Sequence, residues 1–517
     1  MVEGTGRRVV GRNILANALG GAWVIALSLV AIPFQVRILG PEAFGLLGFL
    51  ASLQMFLTVL DFGLSTTVNR EIAADTTPGR SFSRDLVQTA SGVYWAIAVL
   101  LGVGLAAAAW PISAQWLQLE QMTPLYAAAA IRVMAIWLAL TWPTALYTSV
   151  LVGVQRLDIV NVLRVVTVTI SQGGGVVVLL LWRDLEVFLF WMAGVALFSV
   201  ILYAVACRKI SPWMSLSLRP SLAVVRRVWR FSLDVNLITI LAILYTQLDR
   251  LVIGRVLPLR MLGFYNVAYS LTKGVGTVQS FLNSALLPAL SSDFARGQQD
   301  TMRARYGKFS QALVYLTVLP GLVLFFYARE VVGLWAGVEA AEAASPAAQI
   351  LAVGFVLSAA MSAPYTLAVA TAHTRLPLLV NALGIVFYVP ALWFLVQQWG
   401  LEGAAAAWLG LNVYYVLLLL PMVEARILGS QPLHWIGKNL APFLAAGLGL
   451  FWMGRWLIRG VMGDTAVASL VACLASTVAY AIAGYLLLTP SLRKDFRSVP
   501  ALASSLLRRD AVTRPGS

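Results

Sequence analysis

The sequence predicts an all-α polytopic membrane protein of about fourteen transmembrane helices, and three observations carry that reading. Apolar stretches long enough to cross a bilayer recur along the whole chain. Hydrophobic residues make up 60% of it against 11% charged. Positive charge gathers in every second gap between the stretches. A spanning helix needs roughly 20 mostly apolar residues. The mean hydropathy of +0.83 excludes a soluble globular core, where about 25% of residues are charged.

In chain order the spans cover about 14–36, 43–64, 86–110, 124–150, 161–182, 185–206, 231–254, 261–289, 309–328, 346–371, 376–397, 403–424, 438–458 and 466–488. The first follows Arg7, Arg8 and Arg12, but its length and the spans behind it make it a retained anchor rather than a cleavable signal. Pro33, Pro143 and Pro390 lie inside spans and supply bends, while Gly173-Gly174-Gly175 in the fifth permits close helix approach. No strand precedes that glycine run and no Lys-Ser or Lys-Thr follows it, so it is not a phosphate loop. Between spans six and seven, 207–230 is the longest internal polar gap; Ser221 opens a short basic amphipathic segment through Arg226, Arg227 and Arg230, suited to a headgroup layer. A plain topogenic role for that segment is the competing reading.

Of the 37 Lys and Arg, 27 fall in the gaps on one side and 7 on the other, with Arg132, Arg250 and Lys273 inside spans. The bundle therefore has a basic side and an arginine-poor side, and the positive-inside rule makes the basic side, with both termini, cytoplasmic. The net charge of +15 is spread over short loops and does not mark a nucleic-acid surface. Cys207 and Cys473 cannot plausibly meet as a disulfide, and His373 and His434 form no metal-ligand cluster.

The chain echoes itself at an offset of 218 residues: Arg37-Ile-Leu-Gly-Pro-Glu-Ala-Phe-Gly45 matches Arg255-Val-Leu-Pro-Leu-Arg-Met-Leu-Gly263, and Ser52-Leu53 matches Ser270-Leu271. Copies six spans apart point the same way through the bilayer, as in a parallel repeat about an axis along the membrane normal. The expected organisation is an N-lobe at 1–206, a basic linker at 207–230, a C-lobe at 231–424, two additional spans at 425–490 and a tail at 491–517. Two pseudo-symmetric six-helix lobes around a central cleft make an alternating-access device.

An ionised side chain at bilayer depth costs roughly 2.5 kcal/mol or more, so each needs a partner, a wet cavity or a ligand. Arg132 falls in the outer half of its span, Lys273 near the middle of its own and Arg250 in the outer part of its own. Together they give a cleft of net positive charge suited to phosphate or carboxylate. Arg37 and Arg255, the paired arginines of the repeat, complete the candidate substrate-binding set. Asp249 can pair with Lys273 to fix packing, or, like Asp61 and Asp234 at span ends, take up a coupling H+ or Na+. Trp110, Trp137, Trp142, Tyr265 and Tyr269 offer flat surfaces for sugar rings, and interface belts or core packing explain them equally.

These residues resemble a known family. Asn13 through Arg70, with Pro33-Phe34-Gln35-Val36-Arg37-Ile38-Leu39-Gly40-Pro41-Glu42-Ala43-Phe44-Gly45 and Leu60-Asp61-Phe62-Gly63-Leu64-Ser65, is similar to the opening of bacterial polysaccharide-transporter flippases. Those belong to the multidrug, oligosaccharidyl-lipid and polysaccharide exporter superfamily. Val331 through Glu339 and on to Ile350-Leu351 resembles the stretch joining spans nine and ten in the same group. The resemblance implies flipping of an undecaprenyl-diphosphate-linked oligosaccharide to the outer leaflet of a bacterial inner membrane. It implies no covalent chemistry, no organic cofactor, and membrane lipids, the carrier-linked glycan, and a polysaccharide polymerase or other assembly proteins as partners. A lipid-linked peptidoglycan-precursor flippase is the nearest alternative. A twelve-span multidrug or cation antiporter would favour acidic span residues. A glycosyltransferase, polymerase or ligase would need a large outward loop with acid, base or metal-binding groups, whereas 329–345 offers Arg329, Glu330, Glu339 and Glu342.

Overall fold

The computed structural model describes residues 2–61, 63–75, 81–213, 240, 243–463 and 465–497. Among them every element is helical apart from an isolated bridge between Gln118 and Pro258. Helix is what a bilayer demands, because each backbone N–H and C=O must find its partner within the segment. The elements are α1 (Val2–Leu39), α2 (Pro41–Leu57), α3 (Leu64–Ala74), α4 (Ser81–Pro111), α5 (Pro124–Thr141), α6 (Thr144–Gly153), α7 (Leu157–Val168), α8 (Gly174–Trp182) and α9 (Leu185–Ile210). They continue with α10 over 243–256, α11 (Leu259–Ala295), α12 (Gln299–Ala336), α13 (Val338–Ala370), α14 (Arg375–Val423), α15 (Pro432–Trp435), α16 (Ala441–Met462) and α17 (Ala466–Leu487).

Eleven helical segments among the described residues are long and apolar enough to span a membrane. One of them, Arg375–Leu428, has 54 residues, or about 80 Å at 1.5 Å per residue, against a hydrocarbon core of about 30 Å. It breaks at Gly400 (φ 57°, ψ −126°) and so holds two crossings, the spans expected at 376–397 and 403–424. Helix α11 covers the span at 261–289. The span at 231–254 lies partly, and the amphipathic segment at 221–230 wholly, outside the described residues. Exposed apolar side chains such as Leu100, Leu181, Phe387 and Trp452 face outward, as a protein whose solvent is lipid requires.

Broken spans follow their sequences. Trp142 and Pro143 separate α5 from α6, since proline cannot donate to the preceding turn. Gly63, at φ 69°, lets the chain turn from the short 3-10 segment Thr58–Asp61 into α3. The Gly173–Gly175 run packs as expected: added methyls on Gly174 and Gly175 would meet Trp191 and Phe188 of α9.

The chain forms two compact units, one of Met1–Val267, Trp335–Ala340 and Val396–Leu401, the other of Ala268–Leu334, Ala341–Leu395 and Glu402–Ser517. In the first unit, Val68, Ile72, Leu86, Tyr94, Leu146, Tyr147 and Cys207 build a core between α3, α4, α6 and α9. In the second, α16 and α17 dock on α12 through small residues: Gly447 lies against Leu322 and Tyr480, Gly484 against Tyr315, and the Tyr315 and Tyr480 rings stack at 6.0 Å. Both cysteines are free thiols.

The closest helix crossing in the first unit is made by the sequence repeat itself. A Cβ on Gly45 would fall on the Leu259 carbonyl oxygen, and a Cβ on Gly263 on that of Pro41. Gly45 and Gly263 are equivalent at the 218-residue offset, and so are Pro41 and Leu259. Reciprocal contact between equivalent positions is the mark of a two-fold axis. One turn on, Gly48 leaves room for the side chain of its own equivalent, Asn266. This packing holds α10 and the start of α11 in the first unit.

Overpacking a tight contact costs about 1–3 kcal/mol. Gly45→Ala and Gly263→Ala are each expected to lower the melting temperature of the detergent-purified protein, and the double variant to lose less than the sum because both touch one crossing. Gly104→Ala, with open space around it, is expected to melt as the parent does.

Candidate functional site

Around that crossing the arginine-poor ends of the first unit are tied by polar bonds. Glu42, in the first turn of α2 and 2% exposed, accepts from the backbone N–H groups of Glu120 (2.7 Å), Gln121 (2.7 Å) and Met122 (3.1 Å). A carboxylate with three amide donors is the satisfied form of a buried charge. The Gln118 side chain donates to the carbonyls of Arg255 and Val256, both at 3.2 Å, while Leu259 N–H returns a bond to the Gln118 carbonyl at 2.8 Å. Arg255 donates to the Gln115 carbonyl at 2.6 Å and lies 5.7 Å from the Trp116 ring centre. The Trp335 indole donates to the Leu29 carbonyl at 3.0 Å. The set forms a clasp that shuts these helix ends together.

Next to it sits a dry polar layer. Asp249, 3% exposed, accepts from the Tyr265 hydroxyl at 2.6 Å and from the Arg250 N–H at 2.8 Å. Arg250, 8% exposed, donates to Asn266 Oδ1 at 3.0 Å and Gln247 Oε1 at 2.5 Å. Adjacent residues point about 100° apart on a helix, so the pair divides between two sets of partners. Lys273, the sequence's suggested partner for Asp249, is exposed and belongs to the second unit.

Asp61, at the basic-side end of span two, faces a cavity of about 500 Å³. Its Oδ2 accepts from the Ser65 hydroxyl at 2.6 Å and the Ser65 N–H at 3.3 Å, and its Oδ1 from the Tyr94 hydroxyl. Trp142, Thr141, Thr144 and Thr148 form the facing wall. Holding the start of α3 is thus one role of Asp61, and lining a wet space is another.

The remaining candidates scatter. Arg132 is exposed on a stripe of α5 with Leu125 and Ile136; nine residues of helix separate it from Thr141 by about 180°, so it does not line the Asp61 cavity. Arg37 is exposed at the end of α1. Asp234 lies outside the described residues. The sequence reading passed over Glu42 and the Thr141–Thr144–Thr148 ridge. Hydroxyls spaced by three and four within an apolar span were the available signal for the ridge.

In the second unit, the acidic residues weighed for catalysis are ion-paired: Glu342 with Arg329 at 3.4 Å and Glu330 with Arg455 at 3.7 Å. No group of three or more His, Cys, Asp or Glu able to hold a metal occurs among the described residues.

Residues 10–294, more than half of the chain, match the model of a family described as polysaccharide biosynthesis protein. The chain belongs to that family. Among relatives of the polysaccharide biosynthesis protein family, it is 22% identical over 420 residues to a putative O-antigen transporter of Shigella flexneri, covering 80% of this chain and 98% of the relative. It is also 22% identical over 435 residues to an uncharacterized membrane protein in the cps region of Klebsiella pneumoniae, with 83% and 85% covered. Its fold is similar to the lipid II flippase MurJ in an inward closed conformation, with TM-score 0.70, 10% identity and 91% and 98% of the two chains covered. It is similar too to an inward-facing multidrug resistance MATE family transporter, with TM-score 0.62, 14% identity and 78% and 95% covered. The family assignment places the chain in polysaccharide biosynthesis, and its many apolar helices share their fold with the two solved transporters.

Glu42→Ala removes the buried carboxylate that three backbone amides share, at about 1–3 kcal/mol in all. The expected outcome is a clasp that opens more often. A cysteine placed at Gln121, in a background with Cys207 and Cys473 replaced by serine and alanine, should react with a membrane-impermeant maleimide faster than in the Glu42 parent. Equal rates would show that the carboxylate does not hold the clasp.

Proposed function

We propose that the protein flips a polyprenyl-diphosphate-linked oligosaccharide from the cytoplasmic to the outer leaflet by alternating access, with the basic side cytoplasmic. The observation that carries this reading is the reciprocal Gly45–Gly263 crossing. A closure built from repeat equivalents can open by rocking the halves at 1–206 and 231–424, without unfolding either. The name of the Shigella relative, an O-antigen transporter, supports a glycan cargo.

The physical task is to carry a diphosphate and many hydroxyls past hydrocarbon while the polyprenyl tail stays in lipid. Arg132 and Lys273 are exposed at membrane depth and take the diphosphate in this reading. Arg250, buried and bonded, and Arg255, bonded into the clasp, position the closed state and become available to anionic cargo only when it opens. Arg37, the repeat equivalent of Arg255, joins it in this reading.

The coupling ion, H+ or Na+, is assigned to Asp61 because its carboxylate faces a cavity, whereas Asp249 is sealed among Tyr265 and the Arg250 backbone. Binding a cation there neutralises a charge that is costly at membrane depth.

The test is reconstitution into vesicles with a fluorescent polyprenyl-diphosphate glycan, scored by access to an external quencher. The parent should equilibrate the lipid between leaflets. Arg132→Ala and Lys273→Ala should insert and fold yet slow it by about tenfold or more, as loss of a charged contact predicts. Asp61→Asn should remove the dependence on an ion gradient while downhill flipping continues. Transport of lipid-linked peptidoglycan precursor but not of the glycan carrier would replace this reading with the precursor flippase.

A further inference from the structure

Thr141, Thr144 and Thr148 form a ridge along the break between α5 and α6, and a cavity lies on each side of it. One is the Asp61 cavity of about 500 Å³. The other, about 260 Å³, is shared with Trp137, Gln172, Ser199 and Tyr203. Both belong wholly to the first unit.

The hydroxyls of this wall have already given away their protons. Thr141 donates to the Trp137 carbonyl at 2.8 Å, Thr144 to Thr141 at 2.5 Å and Thr148 to Thr144 at 2.8 Å. Thr58 donates to Met55 at 2.6 Å and Ser149 to Ala145 at 2.9 Å. In the second cavity Thr167 donates to Arg164 and Ser199 to Val195. A hydroxyl has one proton and two lone pairs, so what these side chains present to the cavities is lone pairs. With the Asp61 carboxylate added, these hydroxyls make the threonine ridge and its surroundings acceptor-rich, and the Gln54 and Gln172 side-chain amides supply one donor group to each cavity.

One donor stands out against them. Trp142 lines the Asp61 cavity with its residue only 7% exposed, and its indole N–H is buried behind that surface with no hydrogen-bond partner among the described residues. An unmet buried N–H costs about 1–3 kcal/mol, which an acceptor entering the cavity would offset. A coupling ion on Asp61 leaves the indole unmet and fills only about 30 Å³, the volume of a water-sized ion, so most of either cavity stays open to a larger occupant. An anion meets Asp61 and a wall of lone pairs.

From this chemistry we propose that the two cavities are successive sugar subsites, each taking an uncharged pyranose ring and rejecting acidic sugars. The ring hydroxyls donate to Asp61 and to the threonine ridge, a ring or hydroxyl oxygen accepts from Trp142, and the Tyr94, Trp142 and Trp137 rings supply flat apolar surface. The diphosphate is held elsewhere. This inference rests on the glycan-carrier reading and deepens it, setting neutral hexoses and amino sugars as the cargo class.

The test uses the full-length protein in detergent and saturation-transfer NMR with methyl α-glucoside, N-acetylglucosamine and glucuronate as probes. The neutral sugars should give signal and glucuronate about fivefold less or none. Thr144→Val with Thr148→Val keeps shape and the helix while deleting two acceptors, so it should weaken neutral-sugar binding about fivefold or more at an unchanged melting temperature. Asp61→Asn should narrow the gap between glucuronate and glucoside. Equal signal from glucuronate and glucoside in the parent, no signal from any sugar, or unchanged binding in the double valine variant would overturn the proposal. If the double valine variant binds no sugar yet flips the glycan carrier at the parental rate, the subsites are wrong and the flippase stands. If the parent binds neutral sugars but flips no glycan carrier, the subsites stand and the flippase reading falls.

Discussion

The first unit is organised by one steric constraint: two helices related by the internal repeat cross so closely that neither can carry a Cβ at the contact. Gly45 sits under the Leu259 carbonyl and Gly263 under that of Pro41. The neighbouring features depend on that approach. Pro41 at the first helical position starts α2 sharply after Gly40 (φ 83°), which places Glu42 in the first turn, where it meets the 120–122 backbone. Arg255 and Gln118 join the same ends from α10 and the loop before α5. Larger residues at either glycine would force the helices apart and leave Glu42 without its donors.

Polar groups at membrane depth divide into two kinds here. Glu42, Asp249, Arg250 and, in the second unit, Glu424 are nearly inaccessible and bonded, with Glu424 accepting from Tyr306 at 2.7 Å and Ser430 at 2.5 Å. Such groups define one arrangement of helices, because removing a partner strands a charge in a low dielectric. Asp61, Arg132 and Lys273 instead reach exposed or cavity surface. The first kind fixes how the helices meet, and the second lies at surfaces that a solute can reach. Reading every intramembrane charge as a ligand contact would have merged the two.

Much of the architecture was legible beforehand because hydrophobicity and charge act locally. Most span edges fell within a few residues of the helix ends, although α1, α12 and α13 begin eight to twelve residues before the expected spans, and Pro143 and the Gly174–Gly175 pair did what their backbone chemistry requires. The repeat was visible as a handful of identities, and its glycines proved to be the ones that meet. The site was less legible. Arg250 read as a cleft cation and Asp249 as a partner for Lys273 or a coupling ion, and both are sealed by Tyr265, Asn266 and Gln247, residues on two helices. Glu42 looked like part of a family motif, and its role emerged only from the loop it binds nearly 80 residues later.

By itself the sequence determined the solvent of this protein, the helical character of its spans and the repeat that makes Gly45 and Gly263 equivalent, since each follows from side-chain transfer energies and patterning along the chain. Only the tertiary structure decided which charges are buried and which reach a surface, that Gly45 and Gly263 close on each other, and that a threonine ridge separates two cavities beside Asp61. Those outcomes depend on which helix faces meet. Contacts between residues tens to hundreds of positions apart are set by packing, and no local pattern encodes them.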